Sequence, residues 1–384
     1  MSAELSTIVF EWVDNDQRLA ELSTQWQQQA AIALDTEFIR SRTFFPKVGL
    51  LQIADSNGIY LIDPLAISDI NPLKDLLQNP LVTKIIHSCS EDLEVFQHYL
   101  SVLPAPLFDT QIAAAFAGYG ASIGYANLVS MIQGDVIPKQ ETRSDWMQRP
   151  LSQSQLDYAA LDVEHLLLIH RTLVDELEKK DRLSWLNADC EQLLEKYRQS
   201  DAHSDYYQRV KSAWKLKPHQ LAVLQDLCSW REEEARTVDI PRSHLVKDIV
   251  LLEMARRTPE NKKQLARLRE VQSRFIETYG DHCLQIVQQA LENDNHPEHL
   301  PSPLGPEQVD VFKQLKSHVV TIADSLKVPP EFLARKKDLE LLVRSIQNVP
   351  SSLPAALPAT LTGWRYEVIG QPLLDYLSTE LLSE

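Results

Sequence analysis

The hydrophobic pattern of this chain changes period near Asp205, and that switch limits the folds open to it. Upstream, short apolar runs bounded by turn residues alternate with helix-period segments. Ala31–Leu34 leads into Asp35, and Val48–Ala54, Gly58–Ile62 and Val82–His87 read as further buried strands. Asn71–Leu77 and Ser90–Leu100 have helical spacing between them. This order predicts an α/β sheet domain. Downstream, strand-like runs vanish. Pro218–Glu234, Lys247–Arg257, Lys262–Thr278, Glu307–Leu326 and Pro329–Ile346 all read as helices. The segment PHQLAVLQDLCSWREEEAR is echoed by GPEQVDVFKQLKSHVVTIAD, each followed by a Pro-containing turn and a basic helix, which predicts two copies of one helical module. The proline-rich stretch 295–306 reads as a linker, and Val349–Thr360 as a loop inside the second copy.

A length of 384 residues suits two or three domains, and 44% hydrophobic residues suffice for real cores. No apolar run approaches the roughly 18–20 residues of a membrane span. The N-terminus carries acid early and reads as no signal peptide. Four scattered cysteines without CxxC spacing argue against a disulfide framework or a structural zinc, and favour a reducing cytoplasm. The net charge of −16 argues against a protein that coats nucleic acid non-specifically. It does not exclude a nuclease, because a metal site needs clustered carboxylates. Arg236–Arg274 holds ten Lys/Arg and five Asp/Glu, a local balance of 10 − 5 = +5.

Three groups of acids are candidates for the chemistry, with plain surface acids as the alternative for Asp35 and Glu37, and a packed tyrosine beside an exposed acid as the alternative for Tyr158 and Asp162. Asp35 and Glu37 stand two apart at the end of an apolar strand, so both side chains share a face and Thr36 points the other way. Paired carboxylates repel unless cations offset them, and hard oxygen ligands suit Mg²⁺ or Mn²⁺. Tyr158 and Asp162 are one helical turn apart, with Leu161, Leu166 and Leu168 as core contacts. Asp92 lies in HSCSEDLEVF, where Ser90 is the expected N-cap and the acid also fits a favourable first-turn position. His87 ends the preceding strand; it is a candidate substrate contact or a packing residue.

Together, Asp35-x-Glu37, Asp92 and Tyr158-x3-Asp162 resemble the DEDDy exonuclease signature. ALDTEFIRSRTFFPKVGLLQIA, IDPL, HSCSEDLEVF, DTQIAAAF and DYAALDV are similar to the ribonuclease D family over essentially all of residues 28–200. LCSWREEEARTVDIPRSHLVKDIVLLEMARR resembles an HRDC domain. The resemblance implies a ribonuclease H-like α/β exonuclease with a mixed sheet over residues 1–204, followed by two all-α HRDC domains at 205–294 and 307–384, joined by the linker 295–306. It implies a 3′→5′ exoribonuclease that uses two divalent ions, Mg²⁺ or Mn²⁺. Asp35 would bridge them, Glu37 and Asp162 would ligate the ion that activates water, and Asp92 would help hold the other through waters. Tyr158 would hydrogen-bond the attacking water. The implied substrate is RNA with a free 3′ end, in particular tRNA precursors, acted on by a cytoplasmic monomer with no membrane partner.

Substrate contacts are less determined. Phe44 and Phe45 are candidates for stacking on terminal bases, with a core position as the alternative. Arg40, Arg42, Lys47, Arg143 and Arg149 are candidate phosphate contacts. Arg256, Arg257 and Lys263 head the candidate RNA-binding face of the first helical module, and Arg335, Lys336 and Lys337 form a smaller basic patch; a solvated helix face is the alternative. Two rivals stay open: a proofreading-type DNA exonuclease using the same acids, and a non-catalytic nucleic-acid scaffold. A helicase is disfavoured, because no GxxxxGK[ST] loop occurs.

Overall fold

The computed structural model describes residues 8–137, 144–199, 203–347 and 356–381. They divide into two compact units. One comprises 1–39, 47–195 and 304–384; the other comprises 40–46 and 196–303.

The first unit is built on a six-stranded mixed sheet in the order β1-β4-β3-β2-β5-β6. Its strands are β1 Glu11–Val13, β2 Ala31–Ile39, β3 Lys47–Ala54, β4 Ile59–Ile62, β5 Thr83–Ile86 and β6 Leu107–Asp109. β2 pairs antiparallel with β3 and parallel with β5. Burial explains the continuous apolar runs. Every residue of β3 after Lys47 is buried, as in a sheet covered on both faces. The four longer strands coincide with the apolar runs of the sequence, whereas β1 and β6, each only three residues long, are too short to leave such a signal. Lys84 in β5 is fully buried and donates to the carbonyls of Asn79 and Ala105; burial pushes its ammonium down to about 8.

The C-terminal helices belong to this first unit, which the linear division of the chain does not anticipate. Asp189 explains the attachment. It receives two hydrogen bonds from Arg365, at 2.7 and 2.6 Å, and one from Trp364 Nε1 at 3.0 Å. Trp364 stacks on Trp185 at 4.3 Å between centroids. Arg182 bridges the Phe116 and Leu326 carbonyls, both at 2.8 Å.

The internal repeat is visible in the elements. Pro218–Thr237, Arg242–Leu245 and Asp248–Arg257 are matched by Pro306–Leu326, Pro330–Leu333 and Lys336–Gln347. Both long helices start with Pro, whose missing N–H costs nothing there. In both, a glutamine three residues past the cap accepts from the cap backbone: Lys217 N to Gln220 at 3.0 Å, Gly305 N to Gln308 at 2.9 Å. Two expected helices are broken. Lys262–Thr278 splits into Lys262–Leu265 and Ser273–Glu292, with Glu270 at a left-handed φ of 63° between them. Pro329–Ile346 splits where Ala334 turns extended and the Asp338 carboxylate caps Arg335 N at 2.8 Å. Most of the expected 349–360 loop lies outside the described residues. Among the described residues, no helix is long and apolar enough to cross a membrane.

Candidate metal centre

Three elements of the first unit carry the acids. β2 supplies Asp35 and Glu37 from alternate positions, as expected. Its register against β3 shifts between Glu37 and Phe38: Glu37 faces Leu50, whereas Phe38 faces Val48. The skipped residue is Gly49, and the absence of a side chain is necessary there. A Cβ on Gly49 would lie 2.5 Å from the Trp146 carbonyl oxygen. Arg149 fastens this contact. It donates to both oxygens of Asp63 at 2.8 and 2.6 Å, to Gly49 O at 2.7 Å and to Trp146 O at 2.9 Å. Trp146 is held in turn against Tyr158, at 6.2 Å between ring centroids. The expected phosphate contact at Arg149 is thus corrected: its fork is spent on Asp63 and three carbonyls, the third being Gln148 O at 2.8 Å.

The helix Gln153–Glu164 carries Tyr158 and Asp162. Ser152 and Gln155 cap its start reciprocally, which satisfies two orphan donors. Its end is set by Tyr125. That hydroxyl donates to Leu161 O at 2.7 Å and accepts from His165 N at 3.3 Å. It thereby stands in the place of the direct backbone bond between those two residues and breaks the helix just past Asp162. The next helix, Leu166–Lys179, restarts in a different phase, so Leu166 is buried but Leu168, an expected core contact, is half exposed.

Asp92 comes from the helix Ser90–Tyr99 and is buried. Thr36, expected to point away from Asp35 and Glu37, donates to Asp92 Oδ1 at 2.5 Å. The expected Ser90 cap is replaced: Ser90 is the first helical residue and the preceding loop is held by Asp109. Asp109 accepts from Ser88 N at 3.2 Å and Cys89 N at 2.9 Å, and from Gln111 N and Ile112 N at 2.7 and 3.2 Å. The DTQ opening of its own helix was a readable N-cap signal; its reach to the other helix was not.

Carboxylate oxygens of Asp35, Glu37 and Asp162 lie within 4.8 Å of one another. Burial, then the charges of Asp92, Asp162 and Glu37, pushes Asp35 well above the usual carboxylate range. Burial followed by Asp162 and Asp92 pushes Glu37 up to about 9. Burial lifts Asp162 to about 7 against the opposing hydrogen bond from Tyr158, and lifts Asp92 to about 7 against that from Thr36. The Tyr158 hydroxyl is raised too, by burial and then by Asp162, Glu37 and Asp35. Gln52, the cross-strand partner of Asp35, is fully buried, and neither of its amide atoms has a hydrogen-bond partner among the described residues. An all-oxygen cluster of mutually repelling acids fits hard divalent cations.

Asp92 and Asp162 have raised folded pKa values, so their contribution to stability is full below the ordinary 3.8 and is lost as pH climbs through about 7. In EDTA the melting temperature is expected to fall between about pH 5 and pH 8, and Mg²⁺ or Mn²⁺ to raise it more at the higher pH. Equal metal-induced shifts at both pH values would speak against this cluster as the binding site.

His87 is tied within the unit, Nδ1 to Thr110 Oγ1 at 2.8 Å and Nε2 to Ile123 O at 3.2 Å, which leaves a packing role. Phe44 and Phe45 belong to the second unit. Phe44 is 6% exposed in that unit's apolar core, so its ring is not presented for base stacking; Phe45 packs partly buried against the same core. Their amides both donate to Asp239, at 3.0 and 3.1 Å. Arg143 lies outside the described residues. Arg256 and Arg257 share the Glu253 carboxylate at 2.7 and 3.0 Å, and Lys263 is exposed.

Comparison with known proteins places these observations in a family. Residues 10–178 match the 3′–5′ exonuclease model, 220–287 the HRDC domain, and 306–373 the C-terminal HRDC domain of ribonuclease D. The ribonuclease D of Pseudomonas paraeruginosa is 42% identical over 96% of this chain and 98% of its own. That of Escherichia coli is 35% identical, over 96% and 98%. The crystal structure of Escherichia coli RNase D, described as an exoribonuclease involved in structured RNA processing, superposes with a TM-score of 0.89 at 34% identity, covering 97% of this chain and 100% of that one.

Proposed function

Because the chain belongs to the ribonuclease D family and is a 3′→5′ exoribonuclease of a divalent-metal-dependent kind, we propose that Asp35, Glu37, Asp92 and Asp162 hold two ions, Mg²⁺ or Mn²⁺, and that the substrate is a tRNA precursor with a free 3′ end. The convergence of the Asp35, Glu37 and Asp162 oxygens within 4.8 Å carries this reading. When bound, such ions supply charge stabilisation to the phosphodiester and lower the pKa of water. The remaining work falls to the protein. Thr36 orients Asp92, and Tyr158 orients Asp162. Tyr158, with its hydroxyl pKa raised, stays protonated and serves as a hydrogen-bonding guide for the attacking water, not as its base. Arg149 and Trp146 fix the Tyr158 ring.

The test is a tRNA precursor with a labelled 3′ trailer. Nucleoside 5′-monophosphates are expected to appear with Mg²⁺ or Mn²⁺ and to stop in EDTA, while a DNA strand of matched sequence is degraded much more slowly. Equal degradation of DNA would favour the proofreading-type reading; release that persists in EDTA would remove the metal assignment.

For RNA binding by the second unit, Arg256, Arg257 and Lys263 stand on one basic stretch. Replacing all three by Gln is expected to weaken RNA binding several-fold and to flatten its dependence on salt, because fewer counterions are released. An unchanged salt slope would assign these residues to a solvated face.

A further inference from the structure

The second unit contains a cavity of about 680 Å³. That volume lies within the range of small-ligand sites, roughly 300–1,000 Å³. Its wall carries five cationic side chains, Arg40, Arg209, Arg231, Arg242 and Lys247, against one carboxylate, Asp248. In a chain of net charge −16 this is a local inversion of sign. Arg231 is 5% exposed, it lines the cavity, and its Nε has no hydrogen-bond partner among the described residues. A buried guanidinium N–H without an acceptor is costly unless a ligand supplies one. Its Nη1 donates to Val246 O at 3.2 Å and to Asp248 at 2.5 Å. The Asp248 side chain is 57% exposed, so an incoming anion can displace it into water.

The rest of the wall suits an anion that approaches from solvent. Arg209 lies over the Tyr206 ring at 4.8 Å, and Arg242 over Phe44 at 4.5 Å and Tyr206 at 5.0 Å, so the aromatic faces hold guanidinium groups in place. Glu232, beneath them, receives hydrogen bonds from Arg236 and Arg242 and balances part of this charge. Lys247 reaches Glu270 at 3.1 Å from an exposed position. The helix Asp248–Arg257 begins at the same wall, with no side chain capping its first amides. Its N-terminal dipole favours negative charge.

We infer that this cavity is a phosphate-binding site, in which Arg231, Arg209 and Lys247 receive the phosphate of a nucleotide-sized ligand. Two sources share that chemistry: a free nucleotide and the backbone of an RNA strand.

The experiment uses the full chain in EDTA, so that it reads binding without hydrolysis and stands apart from the metal assignment. AMP and a short 3′-labelled oligoribonucleotide are titrated against the wild type, the single variants Arg209→Gln and Lys247→Gln, and the double variant. Both residues are exposed, so the fold is retained, as circular dichroism will show. The expected result is a loss of about tenfold or more in the double variant, as for charge-assisted phosphate contacts. If AMP binding falls, the ligand is a free nucleotide. If AMP does not bind but oligoribonucleotide affinity and its salt slope both fall, the ligand is the RNA backbone. If neither probe distinguishes the double variant from the wild type, the inference is overturned.

Discussion

Asp35→Asn will abolish release of nucleoside monophosphates from 3′-labelled RNA in Mg²⁺ or Mn²⁺, by at least about a thousandfold, while leaving the protein folded. The magnitude comes from the several kcal/mol of charge stabilisation that bound ions supply, at about 1.4 kcal/mol per tenfold in rate. The folding result comes from electrostatics. Asp35 is pushed upward by burial and by Asp92, Asp162 and Glu37. Replacing it with an uncharged group of the same shape removes repulsion, so the melting temperature in EDTA is expected to hold or rise. The rise brought by metal in the wild type is expected to disappear. A variant that keeps activity, or that loses it only by unfolding, would contradict this account.

Arg149→Ala will destabilise the first unit by about 3 kcal/mol and lower the rate of RNA degradation even where the protein remains folded. Asp63 is 6% exposed and both its oxygens are bound by Arg149. Removing one partner of such a pair leaves a buried charge uncompensated, a loss of about 3–5 kcal/mol. The lower end applies because the Arg149 side chain is 25% exposed. The Gly49 and Trp146 carbonyls lose their donor at the same time. The Trp146 backbone packs where a Gly49 side chain would stand, and its ring leans on Tyr158. The damage therefore passes to the helix that bears Asp162. Arg149→Lys will not restore the wild type, because a single ammonium cannot span a carboxylate and three carbonyls. Denaturant unfolding and single-turnover rates on labelled RNA measure both effects. If stability and rate stay at wild-type levels, the clamp has no role.

The contrast between Asp35 and Arg149 shows what could be read from the sequence. Asp35 with Glu37, and Tyr158 with Asp162, were legible because their spacing matches the period of the element that bears them. The longer buried strands and most helices followed from the same local periodicity. Partners distant along the chain were not legible. Arg149 looked like a phosphate contact because Asp63 lies 86 residues away. Tyr125 offered no signal, since it acts on Leu161 O, 36 residues on. For Phe44 the sequence leaves stacking and a core position both open; the core position rests on Asp239, 195 residues later, which accepts from its amide, and on the helical core that covers its ring. The grouping of the C-terminal helices with the sheet rests on Asp189 and Arg365, 176 residues apart.

The most direct test of the central claim is anomalous diffraction from crystals of the full chain soaked in Mn²⁺. Two peaks are expected about 3.5–4 Å apart, contacted by Asp35, Glu37 and Asp162 and approached by Asp92. Manganese bound elsewhere, with these four carboxylates free of it at saturating concentration, would contradict the account.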